Sequence, residues 1–321
     1  MECKYKVSVA MALYNGEGFL SEQLESILNQ TYPISELVAC DDGSSDNTRV
    51  VFENFVKNKQ ANKYQYIRNN QNLGYSKNFL HAASLCSGDI IMFSDQDDIW
   101  VKEKIEKMVS IFEEYPDAEA VVCAYEPFYD SGKTERSLVE YLKKILYKKG
   151  GVQRVPFYIQ VQTMLSGGLT LAVRKETLSE ISEYIDRFKL TYDIPIGLIC
   201  ASRNSLYRTS EVLVKHRLHS SNAGSPNLSF ISRLKDLNRH IKGREVELLH
   251  LKCIYDLLKD NLSISEADLV ADEIMHREYS IKQMKDGKCG YLFKSIFRKN
   301  KYSNTIISIS NLLCCFVSKL K

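Results

Sequence analysis

The stretch MFSDQDDIW, residues 92–100, puts three carboxylates, Asp95, Asp97 and Asp98, directly behind a run of apolar and small residues. Carboxylates this close raise one another's pKa, so the cluster either faces water or expects a positive partner. Alternate residues Asp95 and Asp97 can face one oxygen-coordinated cation. Mg²⁺ or Mn²⁺ held by one or two carboxylates plus substrate phosphates is the usual arrangement at nucleotide sites. Such a cation offsets the repulsion and screens a diphosphate. An isolated D-x-D is nevertheless common by chance. A plain loop, with Asp98 opening the next helix where the dipole favours negative charge, is the competing reading.

The elements in front of the acids change the odds. Residues 5–13, YKVSVAMAL, read as a strand buried on both faces. Residues 17–30 carry Phe19, Leu20, Leu24, Ile27 and Leu28 at helical spacing. Strands follow at 36–42, 64–68 and 89–94. Between them come a helix with a serine N-cap offered by SSDNT (44–48) and a helix ending near Ser87-Gly88. A helix over 102–115 and a strand over 118–125 continue the alternation. This order predicts an α/β fold with a mainly parallel central sheet flanked by helices. Ligands in such sheets bind at the carboxyl ends of strands. Polar residues gather at those ends: Tyr14-Asn15, Asp41-Asp42, Asn72 to Asn78, and Asp95 to Asp98. Farther on, 166–178 reads as a glycine turn, a strand and a helix start. Residues 211–224 read as a strand entering a polar loop, and the chain is helical from about 226.

The 321 residues suffice for one large domain or two smaller ones. A net charge of +3 says little about partners. The nine cysteines show no C-x-x-C spacing, which sets aside a zinc ribbon or thioredoxin-type motif. Cys40 and Cys123 sit in apolar runs as small core residues, and a reducing cytoplasm is the simplest compartment. No signal-peptide pattern and no membrane-spanning run is expected. Neither a G-x-x-x-x-G-K-[ST] loop nor a G-x-G-x-x-G turn follows the first strand, which disfavours P-loop and Rossmann enzymes.

Four segments in order, VAMALYNGEGFLSEQLESILNQTY, VACDDGSSDNT, NLGYSKN and SDQDDIW, resemble the family 2 inverting glycosyltransferases of the GT-A fold. The resemblance covers roughly residues 5–125. It resumes at SGGLTLAVR (166–174), TYDIPIGLICA (191–201) and VLVKHRLHSSNAG (212–224), which are similar to acceptor-side motifs of bacterial polysaccharide rhamnosyltransferases. It implies a GT-A domain over 1–225 and a helical region over 226–321. It also implies that Ala12, Tyr14 and Glu17 border the base of a nucleotide-sugar. Asp41 would accept the N3–H of a pyrimidine, with Asp42 beside it. Asn72, Gly74, Lys77 and Asn78 would lie along the ribose and diphosphate, and Asp95 and Gln96 would approach the donor. Asp97 and His219 would hold Mn²⁺ or Mg²⁺, with Asn222 completing an H-x-x-N pattern. Asp193 matches the catalytic base. Where the family often has Glu-Asp or His-Asp, this chain has Tyr192-Asp193. Where the family often has Y-R-x-H, this chain has His216-Arg217-Leu218-His219.

Each assignment has a bland rival. Asp193 could cap the helix that follows, His219 could be a loop histidine, Lys77 a solvated helix lysine, and Asp41 a strand-end acid. The resemblance implies transfer of a sugar, first choice rhamnose from dTDP-rhamnose, to a hydroxyl of a growing cell-surface or capsular polysaccharide. A UDP-hexose or UDP-N-acetylhexosamine donor is the alternative. A nucleotidyltransferase and an inactive binding module are the rivals of other classes. The expected partners are the donor and a glycan or lipid-linked glycan acceptor, with no nucleic acid, and with a homo-oligomer left open. Residues 287–321 hold seven lysines or arginines and no acid. They read either as a helix packed on the domain or as an amphipathic helix lying on an anionic membrane surface, peripheral to the inner leaflet.

Overall fold

The structure is a computed structural model and describes residues 4–129, 150–164, 167–188, 191–219 and 237–287. Asn222 and the basic tail beyond 287 lie outside the described residues. The described residues fall into two compact units, with divisions after Val155, Leu165 and Arg217.

The first unit is built on β1 (Val7–Leu13), β2 (Glu36–Asp41), β3 (Tyr64–Arg68) and β4 (Ile90–Ser94). These four strands pair in parallel in the order β3-β2-β1-β4. Every residue of β4 is buried and β1 is buried but for Ala12, which is why both read as near-continuous apolar runs. The connecting helices α1 (Leu20–Leu28), α2 (Thr48–Lys59) and α3 (Tyr75–Leu85) turn apolar stripes toward the sheet. Leu24, Ile27, Phe52 and Phe79 are among the residues they bury. The register sets Leu13 beside Asp41 and Asp41 beside Arg68, so the polar strand ends line up along one edge.

Ser44 does not cap α2. Asn47 takes that position without a side-chain bond. The Ser44 amide and hydroxyl instead donate to the fully buried Asp41, whose charge needs donors more than an open helix end does. Asp46 accepts from the Thr48 amide at 3.0 Å in its place.

Beyond β4 the sheet becomes mixed. β5 (Ile99–Trp100), β6 (Ala120–Phe128), β7 (Val152–Arg154), β8 (Leu171–Arg174) and β9 (Leu206–Arg217) extend it in the order β4-β8-β6-β9-β5, with β7 also on β9. β8 runs antiparallel between β4 and β6, while β6 and β9 are parallel to each other. Helix α4 (Lys104–Glu114) follows β5, and a 3-10 turn over Gly168–Thr170 precedes β8. The short α5 (Phe157–Thr163) belongs to the second unit, whereas the helices after β8, α6 (Lys175–Phe188) and α7 (Asp193–Ser202), belong to the first.

The second unit also contains α8 (Leu237–Leu258) and α9 (Ile264–Lys285), the latter opened by a Ser263/Glu266 capping box. Buried Arg277 donates to Glu273 at 2.7 Å, to Glu247 at 3.0 Å and to the carbonyls of Val161 and Gln162. One guanidinium thus ties the end of α5 to both long helices. No helix among the described residues is long and apolar enough to cross a membrane.

Candidate active site

The carboxyl ends of β1, β2, β3 and β4 converge, as expected for an α/β ligand crevice. Asp41, at the end of β2, is fully buried. One of its oxygens accepts from the Ser44 amide at 2.9 Å and hydroxyl at 2.5 Å. The other accepts from the Tyr66 hydroxyl and from Arg68 at 3.3 Å. Those four donors fill a carboxylate's capacity. Burial, and then the bond to Asp41, push the Tyr66 phenol above its usual range.

Asp42 organises the next loop. It accepts from Asn69 at 2.9 Å, from the Leu73 amide at 2.7 Å and from the Gly74 amide at 2.8 Å. Asn72 donates to the Asp42 carbonyl at 2.8 Å. Gly74 has φ of 79°, a left-handed conformation that glycine adopts without a Cβ penalty. Asn78 is buried, donating to the Cys40 carbonyl and accepting from Asn69. Its amide therefore locks the loop onto β2. Lys77, one residue earlier, is exposed on the first turn of α3.

On the β1 side, Ala12 is half-buried opposite Cys40, and Tyr14 is exposed. Glu17 accepts from the backbone and side-chain amides of Asn47 at 2.8 Å each, joining this loop to the start of α2. Gln96, from the acidic loop, accepts from the Tyr14 amide at 2.9 Å and donates to the Tyr14 carbonyl at 2.8 Å. A Cβ on Gly16 would stand 2.3 Å from the Gln96 oxygen, so that glycine leaves room for the clamp.

The three acids after β4 have different environments. Asp98 is buried, with one oxygen 2.8 Å from His216 Nδ1 and accepting from the Arg217 amide at 3.2 Å. Its other oxygen is buried without a hydrogen-bond partner. Burial pulls the His216 pKa down, but the Asp98 bond and the charges of Asp98, Asp95 and Asp97 outweigh it and leave the imidazole raised. Arg217 also donates to the Asp97 carbonyl at 3.0 Å, pairs with Glu22 and lies 4.7 Å from the Phe128 ring. The Asp95 carboxyl is pushed well above the usual range, first by burial and then by the charges of Asp98 and Asp97. The charge of Asp193 adds to the rise, while that of His216 opposes it. Spacing alone singled out neither His216 nor Arg217. The available signal is their position at the end of a strand paired with the one that carries Trp100.

The opposite wall is formed by the turn before β8 and the start of α7. Asp193 is the first residue of α7, not its N-cap, which is Tyr192. One of its oxygens accepts from the Ile194 amide at 3.0 Å, the other from the Gly168 amide at 3.2 Å. Burial raises its pKa, with hydrogen bonds opposing the rise. Tyr192 is 1% exposed and packs 4.5 Å from Phe93 and 4.9 Å from Phe79. A Cβ on Gly168 would lie 1.8 Å from its hydroxyl. The turn is also held by Lys104, fully buried, which donates to the Leu169 carbonyl at 3.0 Å and sits 3.5 Å from the Trp100 ring centre. Burial lowers its pKa to about 8.

Among the described residues no group of three or more His, Cys, Asp or Glu side chains is arranged to hold a metal ion. The acidic loop still fits a cation of the Mg²⁺ type, which needs only one or two protein carboxylates beside substrate phosphates. The buried, unpartnered Asp98 oxygen and the mutual repulsion at Asp95 are what such a charge would relieve. His219 lies just past β9 and belongs to the second unit.

A parallel β3-β2-β1-β4 sheet with an acidic loop after β4 and an antiparallel extension beyond it is the arrangement of the GT-A fold. Residues 8–169 match the Glycosyl transferase family 2 model, and the chain belongs to that family of glycosyltransferases. It is 30% identical over 244 residues to the dTDP-rhamnosyl transferase RfbG of Shigella flexneri, covering 71% of this chain and 78% of that protein. It is 36% identical over 110 residues to the putative glycosyltransferase EpsE of Bacillus subtilis, covering 34% and 39% respectively. The match to WfgD of Escherichia coli, a UDP-Glc:alpha-D-GlcNAc-diphosphoundecaprenol beta-1,3-glucosyltransferase, is 37% over 107 residues, covering 33% and 41%. The chain thus spans about two fifths of the length of EpsE and WfgD. Among solved structures, S. aureus TarS 1–349 in complex with UDP aligns with a TM-score of 0.62 at 16% identity, covering 98% of this chain and 90% of that one. The mannosyltransferase PcManGT from Pyrobaculum calidifontis, in complex with GDP-Man and Mn²⁺, aligns with a TM-score of 0.53 at 14% identity, covering 99% and 88%. These structural likenesses concern the fold.

Proposed function

We propose that the protein transfers a sugar, with inversion, from a nucleoside-diphosphate donor to a hydroxyl of a growing cell-surface or capsular glycan. Rhamnose from dTDP-rhamnose is the first choice, because the relative matched over the greatest length among those above is a dTDP-rhamnosyl transferase. UDP-hexose or UDP-N-acetylhexosamine is the second, favoured by the shorter match to a UDP-Glc enzyme. One observation carries the reading. Asp193 is an acid oriented by two backbone amides, its proton affinity raised by burial, and its charge reaches Asp95 across the crevice. A general base works best when its pKa approaches the working pH.

Asp193 takes the acceptor hydroxyl proton as the oxygen attacks the anomeric carbon, and the bond from that carbon to the diphosphate oxygen breaks. Lys77 offers the diphosphate a cation. A divalent ion at Asp97, with Asp95 and Asp98 beside it, would supply Lewis-acid assistance to the departing diphosphate. His219, from the second unit, stays outside this assignment. Asp41 and Asp42 serve the base side. A pyrimidine N3–H reaching Asp41 has to share an oxygen with donors already present. The protein works in the cytoplasm in this reading, with the basic tail offering a route to the inner leaflet where a lipid-linked acceptor is held.

The test is donor turnover without acceptor. The transferase should release nucleoside diphosphate slowly, and its donor and Mn²⁺ together should raise its melting temperature by binding the folded state. Release of pyrophosphate would point to a nucleotidyltransferase. Release of neither would make it an inactive binding module.

A further inference from the structure

Tyr75 is the first residue of α3. Its backbone is fixed from the nucleotide side, because the preceding Gly74 amide is bonded to Asp42 at 2.8 Å and to Asn72 at 3.1 Å. Its ring is fixed from the side of Asp193. It meets Phe79 edge-on at 6.1 Å and lies 6.3 Å from Tyr192, the residue before Asp193. Those two neighbours are buried, and Phe93, two residues before Asp95, completes the cluster. Tyr75 alone in this cluster is open, 48% exposed against 1% for both Phe79 and Tyr192.

A rigid aromatic left open where the two walls meet offers two kinds of contact at little entropic cost. Its face can take the apolar C–H side of a sugar ring, and its hydroxyl can donate to a sugar hydroxyl. Its partial burial, then the charges of Asp193 and Asp95, raise the phenol above its usual range, so it stays a donor at neutral pH. We infer that Tyr75 contacts the transferred sugar of the donor, through ring and hydroxyl together, and helps set which sugar is accepted. The inference rests on the transferase reading above and adds a residue that reads the sugar, where Asp41, Asp42 and Lys77 serve the nucleotide.

Calorimetric titration of wild type, Tyr75→Phe and Tyr75→Ala tests it, with dTDP, dTDP-rhamnose, UDP and UDP-glucose in the presence of Mn²⁺. For the donor that wild type prefers, Tyr75→Ala should weaken nucleotide-sugar binding about tenfold. Affinity for the matching free diphosphate should stay within about twofold. Tyr75→Phe, which keeps the ring and cannot disturb the fold through lost volume, should show a smaller loss of about threefold, again for the sugar-bearing ligand only. An equal loss for diphosphate and nucleotide-sugar would mean that Tyr75 acts only through its loop, and overturns the inference. So does unchanged nucleotide-sugar affinity in Tyr75→Phe. Wild-type protein that binds none of the four ligands overturns the transferase reading, and this inference with it.

Discussion

Lys104→Met should make the protein more pH-indifferent and the enzyme slower. Lys104 is fully buried, and burial lowers its pKa from 10.5 to about 8. The native state therefore binds this proton less readily than the unfolded chain. Between the two pKa values the unfolded state carries more protons, so stability from this group rises with pH. Below about pH 8 both states are protonated and the full penalty for burying the charge applies. Integrated from about pH 7 to about pH 9.5, the wild type should gain about 2 kcal/mol relative to Lys104→Met, which has no proton to lose. Chemical denaturation of both proteins across that range measures the difference directly. A difference that is flat with pH, or that moves the other way, would refute the burial argument. Activity reads the second half of the reasoning. Methionine cannot donate to the Leu169 carbonyl, so the turn carrying Gly168 loosens and with it one of the two amides that orient Asp193. Turnover should fall even at a pH where the variant is the more stable protein, a familiar trade between stability and a site that holds a buried charge.

Three further outcomes are expected. Asp193→Asn should keep donor affinity and lower transfer by about 10²–10⁴-fold. The wild-type rate should rise with pH through a carboxylate pKa above the ordinary range, and this limb should vanish in the variant; a rate within a few-fold of wild type would send the search to another acid. Asp97→Asn should nearly abolish transfer and weaken Mn²⁺-dependent donor binding, and wild-type activity unchanged by a chelator would remove the metal assignment. Truncation after Asp286 should release the protein from vesicles containing anionic lipid while sparing donor hydrolysis, and equal vesicle binding by both forms would exclude the tail as an anchor.

The strands β1, β2 and β4 were legible because parallel strands buried on both faces leave nearly uninterrupted apolar runs, and the polar residues behind them marked the crevice. β8 was seen as a strand, but its antiparallel insertion between β4 and β6 is a long-range pairing with no local signature. The resemblance implies that Gln96 approaches the donor. Its amide is also bonded to both backbone groups of Tyr14, a contact across 82 residues that spacing cannot reveal. The SSDNT stretch offered a serine cap because serine before a helix usually is one, but Asn47 takes that position and Ser44 serves the need of buried Asp41 for donors. Lys104 shares a helical face with Met108 and Ile111, both buried, but its charge argues for water. Only the fold shows that Trp100 and the Leu169 carbonyl enclose it.

The contact between Gly168 and Tyr192 gives the two positions a history. As long as residue 192 is a tyrosine locked among Phe79 and Phe93, position 168 cannot gain even a methyl group, because the phenol oxygen already occupies that space. The reverse order is open: residue 192 can first become shorter, and position 168 is then free to drift. The pair can therefore change only in an order that never sets a side chain at 168 beside a tyrosine at 192, and a return to the present pair must restore the glycine before the tyrosine.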